Sequence, residues 1–156
     1  MSHARSELAD FRALAPDAYE IVRSLGQLAA KAGIDKQLLE LIKLRASQIN
    51  GCAFCVSFHL NMLRKLGAPR EKIDLITVWR EAGIFSDRET AALAWTEALT
   101  DLSPAGAADE AYAALLAHFS PMEAMFLTVA IGTINNWNRL GVALRFAPLA
   151  LRAPGP

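Results

Sequence analysis

The 156-residue chain is long enough for one domain and leaves little room for a second. Its make-up, 53% hydrophobic and 21% charged, favours a packed globule over a disordered chain. Sixteen basic residues cancel sixteen acidic ones, which argues against long-range attraction to nucleic acid or to an anionic membrane.

The opening run, Met1 to Glu7, lacks the apolar centre of a secretory signal. Pro16 suits the first turn of a helix running toward Lys31, with Gly33 at its C-terminal cap. Asp35 caps the next predicted helix, where Leu38, Leu39, Ile42, Ala46 and Ile49 fall near one face. Asn50-Gly51 interrupts it. A further helix begins at about Cys52 and runs to Leu66, where Gly67 stops it. Pro69 opens another, with Ile73, Ile76 and Trp79 inward and Gly83 at its end. Ser86 and Glu89 have the spacing of a capping box, and the helix they start carries Leu93, Ala94 and Leu99. After a loop at Ser103-Pro104-Ala105-Gly106, a short helix is expected from Asp109 to Phe119, with His118 near its end as a capping or surface residue. A long last helix is expected from Pro121 to Phe146, followed by a tail with Pro148, Pro154 and Pro156. No segment alternates with a period of two, so the fold class is all-α with about seven helices. The most apolar stretch, Ala124 to Ile134, is shorter than the about 20 residues of a membrane span, and a soluble, cytoplasmic protein is expected.

The chain has only two cysteines, Cys52 and Cys55, three positions apart. A stabilising disulfide normally closes a long loop; this one would close a tiny one. The pair therefore points to redox chemistry. At the start of a helix the two side chains sit one turn apart, near unpaired N–H groups and the positive end of the dipole, which favour thiolate. His59 lies four residues beyond Cys55 on the same face and is placed to take a thiol proton directly or through a water. A thiolate that attacks a peroxide becomes a sulfenic acid, and a thiol one turn away condenses with it. Glu40, on the preceding helix, is placed to orient His59 or a bridging water. Zinc is the weaker reading, because a structural site needs about four ligands and His3 and His118 are remote in sequence. Phe54, Phe58 and Leu60 suit the apolar wall of a core or of a pocket for an organic hydroperoxide.

Glu40, eleven residues, then Cys-x-x-Cys-x-x-x-His, with Asn50-Gly51 before it, resembles the alkylhydroperoxidase AhpD / carboxymuconolactone decarboxylase family. Ile134-Asn135-Asn136-Trp137-Asn138-Arg139 is similar to an Asn-x-Trp-Asn-Arg segment of AhpD-like members. The resemblance implies one AhpD-like helical domain over residues 1–156, with its core at about 16–146 and both termini peripheral. It implies a homo-oligomer, trimer or hexamer. It implies a thiol peroxidase with Cys55 peroxidatic, Cys52 resolving, and His59 with Glu40 as proton relay. Neither an organic cofactor nor a metal is called for beyond the Cys52–Cys55 disulfide. The partners implied are a hydroperoxide and an external dithiol, of lipoyl type by resemblance. Two positions depart from the family pattern: Phe54 stands where AhpD members carry a second histidine, and Ser57 where related chains often carry an acid. The same cysteine pair would also serve a general thiol–disulfide oxidoreductase or a non-catalytic redox sensor. Asn135, Trp137, Asn138 and Arg139 are expected to be mainly structural, with Arg139 able to reach a carboxylate near the site.

Overall fold

The computed structural model describes residues 5–102, 107 and 109–150. The loop expected at 103–106 and the tail prolines Pro154 and Pro156 lie outside them. Among the described residues the regular structure is helical throughout: α1 (Leu8–Leu14), α2 (Pro16–Lys31), α3 (Lys36–Ile49), α4 (Ala53–Lys65), α5 (Arg70–Leu75), α6 (Trp79–Ala82), α7 (Asp87–Thr100), α8 (Asp109–Leu116) and α9 (Pro121–Leu144). A 3-10 turn, Ile76–Val78, joins α5 to α6. The seven segments expected from sequence are all present. The one expected after Pro69 is divided into α5, the 3-10 turn and α6, and α1 is an addition.

The capping signals act as their chemistry requires. The Asp35 carboxylate accepts from the Leu38 N–H, and Ser86–Glu89 and Ser120–Glu123 form reciprocal capping boxes. No helix among the described residues is long and apolar enough to cross a membrane.

α3 is the central element, packed against α4, α7 and α9. Leu41, Ile42, Leu44 and Ala46 are all but sealed from solvent, which fits their place at the middle of the bundle. Ile49, expected on the same apolar face, is instead 37% exposed, because it sits in the last turn beside the Asn50-Gly51 break. α4 folds back antiparallel to α3: the Gln37 amide donates to the Leu66 carbonyl at the open end, and Glu40 meets His59 nearer the turn. α2 runs antiparallel to α9, with Tyr19 against Trp137 and Gly26 against Thr133.

The described residues nearest each end of the chain contact the bundle. The Arg5 and Ser6 N–H groups donate to the Leu144 carbonyl at the end of α9, and Phe11 of α1 packs edge-on to Tyr19 and Trp137. Past α9, the Leu149 N–H donates to Ser57 Oγ, and the Asn61 amide donates to the Ala150 carbonyl. The exposed carbonyls of α9 and the hydroxyl of Ser57 thus find partners in segments that the sequence places at the periphery.

Candidate active site

The turn before the cysteines has a specific backbone cause. Gly51 adopts φ 66°, a left-handed conformation that glycine enters without a Cβ clash. The Gly51 N–H then donates to the Gln48 carbonyl and the Cys52 N–H to the Ser47 carbonyl, closing α3 with a Schellman motif. Cys52 is therefore the residue that finishes α3 and the N-cap of α4. Its sulfur accepts from the Cys55 N–H at 3.2 Å, as an N-cap side chain does. Cys55 lies one turn on, with a Cα–Cα distance of 5.3 Å, and the two are joined as a disulfide.

The other end of the site is shaped by the same motif. α9 closes with Arg145 left-handed at φ 55°; the Phe146 N–H returns to the Gly141 carbonyl and the Arg145 N–H to that of Val142. This turn carries Phe146 against Phe54, ring centroids 5.6 Å apart, and leaves Gly141 facing the disulfide. A Cβ at Gly141 would stand 2.7 Å from Cys52 Sγ and 3.4 Å from Cys55 Sγ. Both cysteines are buried. Cys55 reaches a cavity; its sulfur lies 3.8 Å from the Trp137 carbonyl oxygen, an acceptor for a thiol once the pair is reduced.

That cavity, of about 400 Å³, is enclosed by α2, α3, α4 and α9 with Leu8 of α1 at its edge. Cys55, His59 and Glu40 all line it. His59 Nδ1 is 2.6 Å from Glu40 Oε2, so the carboxylate orients the imidazole directly and no bridging water is needed. Lys43 donates to the other carboxylate oxygen at 2.8 Å. Burial alone would raise the Glu40 pKa; the hydrogen bond with His59, the charge that ring gains once protonated in acid, and Lys43 outweigh it and hold the carboxyl at about 2. Burial pushes the His59 pKa below its ordinary value, against the pull of Glu40. The pair is thus an ionised carboxylate accepting from Nδ1–H of a neutral ring, which leaves Nε2 unprotonated.

Behind the disulfide, a polar network ties the end of α3 to α9. The Asn50 amide donates to Asn135 Oδ1 and Asn138 Oδ1, each at 2.9 Å. The Asn138 amide donates to Ser47 Oγ, and that of Asn135 to Thr100 Oγ1 and the Ile131 carbonyl. Asn135 and Asn138 are buried, and every one of these groups is satisfied within the network. Arg139 donates to the Asn135 carbonyl and side chain, not to a carboxylate. Phe54 packs on Phe146 and Phe58 and lines the cavity. Phe58 lines it too, whereas Leu60 packs on the core. Ser57 accepts from the tail, and the exposed His118 offers its carbonyl to Arg88. Among the described residues, no group of three or more His, Cys, Asp or Glu side chains stands where a metal ion could be held.

Sequence reasoning missed Lys43, Gly141 and the role of Asn50. Lys43 was legible in principle, one helical turn after Glu40. Gly141 carried no signal, because its contact spans α9 and the start of α4.

An all-helical bundle with a Cys-x-x-Cys disulfide at the start of a helix, beside a buried His–Glu pair, defines an AhpD-like protein. The chain belongs to the carboxymuconolactone decarboxylase family, whose model matches residues 16–98. It is 32% identical over 139 residues to the uncharacterized protein YdfG of Bacillus subtilis, covering 89% of this chain and 95% of that one. A crystal structure from Agrobacterium tumefaciens, of a protein of unknown function proposed as an AhpD of antioxidant defence, is 39% identical with a TM-score of 0.87, covering 95% of this chain and 99% of that one. The alkyl hydroperoxide reductase AhpD of Coxiella burnetii is 44% identical over 46 residues, which is 30% of this chain and 26% of that enzyme.

Proposed function

We propose that this protein is a thiol peroxidase that reduces organic hydroperoxides through Cys52 and Cys55. The observation that carries the reading is the disulfide whose Cys55 half shares a cavity with a neutral histidine held by an ionised carboxylate. In the reduced protein, His59 Nε2 takes the Cys55 proton. The Cys55 thiolate attacks the distal oxygen of ROOH; the O–O bond breaks, and ROH leaves with the proton returned through His59. Cys55 is then a sulfenic acid. The Cys52 thiolate attacks its sulfur, expelling hydroxide that leaves as water after taking a proton, and the disulfide closes. An external dithiol, of lipoyl type, reopens it by two exchange steps and becomes a cyclic disulfide. Cys55 takes the peroxidatic role because it is the cysteine that lines the cavity, while Cys52 is closed in by Gly141.

A short-loop disulfide in a cytoplasmic protein is usually catalytic, in keeping with the cytoplasmic placement expected from the sequence. Exposed Ile21 and Leu25 of α2 and Met125 and Val129 of α9 favour assembly of the chain as a homo-oligomer.

The test is stopped-flow mixing of the reduced protein with cumene hydroperoxide and, separately, with oxidised lipoamide. Rapid loss of two thiols per chain with the peroxide, and its abolition in Cys55→Ser, is the expected result. Fast exchange with the disulfide and none with the peroxide would make the protein a thiol–disulfide oxidoreductase instead. Disulfide formation without turnover by any dithiol would make it a sensor.

A further inference from the structure

Two helices present chemically opposite rows to the cavity. From α4 come Phe54, Phe58 and Met62, spaced four apart and apolar. From α2 come Tyr19, Arg23 and Gln27, also spaced four apart, and all polar. Residues at that spacing share one face of a helix, so each row is continuous. Cys55 and His59 lie in the same enclosure.

The volume decides the size class. At a liquid share of about 30 Å³ per water, a cavity of about 400 Å³ has room for roughly thirteen waters. That is space for an organic molecule, far more than hydrogen peroxide needs. The charges decide its polarity. Glu40 and Lys43 answer each other at 2.8 Å, so they add no net charge to the wall. Arg23 also lines the cavity, but its partner Glu20 does not. That pair joins neighbours one turn apart, with side chains 47% and 51% exposed, and such pairs are weak and readily exchanged. The guanidinium fork matches a carboxylate bidentately, and Tyr19 and Gln27 flank it with further hydrogen-bonding groups.

We propose that the cavity takes organic hydroperoxides that carry a carboxylate, with the hydrocarbon body along Phe54, Phe58 and Met62 and the anionic end on Arg23. This substrate class rests on the peroxidase reading above, but the carboxylate site does not. Binding sets it apart: the oxidised protein is titrated calorimetrically with 4-isopropylbenzoate and with the neutral 4-isopropylbenzamide, neither of which carries a peroxide. The benzoate is expected to bind about tenfold more tightly. Arg23→Gln should erase that preference. Glu20→Gln, which removes the competing carboxylate, should enlarge it. Equal affinity of the two compounds, or a preference that survives in Arg23→Gln, overturns the proposal. A parallel assay compares kcat/KM for cumene hydroperoxide and its para-carboxylated counterpart, and the latter should be favoured through KM. Turnover of both without preference removes the carboxylate site and leaves the peroxidase. A benzoate preference with no turnover of either peroxide leaves an anion site and removes the hydroperoxide as its ligand.

Discussion

Gly141 of α9 faces Cys52 so closely that a single added carbon would stand 2.7 Å from the sulfur. Two helix ends, each closed by a left-handed residue, converge here: Gly51 delivers Cys52, and Arg145 delivers Phe146. The glycine is required by the sulfur, not by its own backbone, which is helical. Gly141→Ala improves helix propensity but overpacks the site. We expect a net destabilisation of about 1–3 kcal/mol, read as a fall in Tm, together with slower closure of the disulfide after peroxide. An alanine variant as stable as the parent and equally fast would mean that the sulfurs sidestep the methyl without cost.

The Glu40–His59 pair makes stability depend on pH in a defined direction. The folded Glu40 pKa is about 2, below the ordinary 4.5, so its contribution is complete above 4.5 and is lost as pH falls toward 2. The folded His59 pKa is also depressed, below 6.5, so the unfolded chain takes up that proton first and stability starts to decline as pH drops through 6.5. Both effects weaken the fold in acid. Urea midpoints between pH 7 and pH 3 should decline for the parent, with Glu40→Gln losing part of the decline below pH 4.5 and the rest remaining with Glu97 and Glu123, whose carboxyls are also held below their ordinary range by their hydrogen-bond and charge partners. Because the carboxylate also fixes the ring tautomer, Glu40→Gln should slow peroxide-driven thiol loss by about 10²-fold or more. A flat stability profile in the parent would show that the pair is not ionised as described.

Asn138 joins the end of α3 to α9 through two side-chain hydrogen bonds. Replacing Asn138 by alanine removes the donor to Ser47 Oγ, which still donates to the Lys43 carbonyl, and one of the two acceptors of the Asn50 amide, which keeps Asn135. Two hydrogen bonds worth about 0.5–1.5 kcal/mol each are lost, and the truncation leaves a small cavity, so a loss of about 1–3 kcal/mol is expected. The Asn50-Gly51 turn positions Cys52, and thiol loss to peroxide should slow as well. A loss under about 0.5 kcal/mol, the size of an ordinary surface change, would mean that water replaces the amide.

What was legible in the sequence was local. Caps at Asp35 and Ser86, the break at Asn50-Gly51 and the Cys52, Cys55, His59 spacing all concern neighbours within a few residues, where helical geometry fixes the outcome. Glu40 was placed by its distance from the cysteines, and the antiparallel α3–α4 hairpin brought it to His59. Contacts between remote segments were not legible. Gly141 meets Cys52 across 89 positions, and nothing in either segment's pattern encodes it. The residues before Pro16 were placed outside the core, yet Phe11 meets Tyr19 and Trp137, two aromatic partners that only the packed bundle brings together.

α1 is the last case, and it separates local from global stability. It buries no residue completely, and it is held by Phe11 against Tyr19 and Trp137 and by the Arg5 and Ser6 N–H groups on the Leu144 carbonyl. Each edge-on aromatic pair is worth about 0.5–1.5 kcal/mol, too little to make α1 open only with the whole fold. Phe11→Ala should therefore speed amide exchange in residues 8–14 by ten-fold or more while the urea midpoint of the bundle moves little. The Trp137 side chain loses a neighbour, and its fluorescence should shift to the red as water reaches the ring. Leu8 borders the cavity, so the same variant should admit bulkier hydroperoxides. Unchanged exchange in α1 would mean that the two backbone hydrogen bonds to Leu144 hold it without the ring.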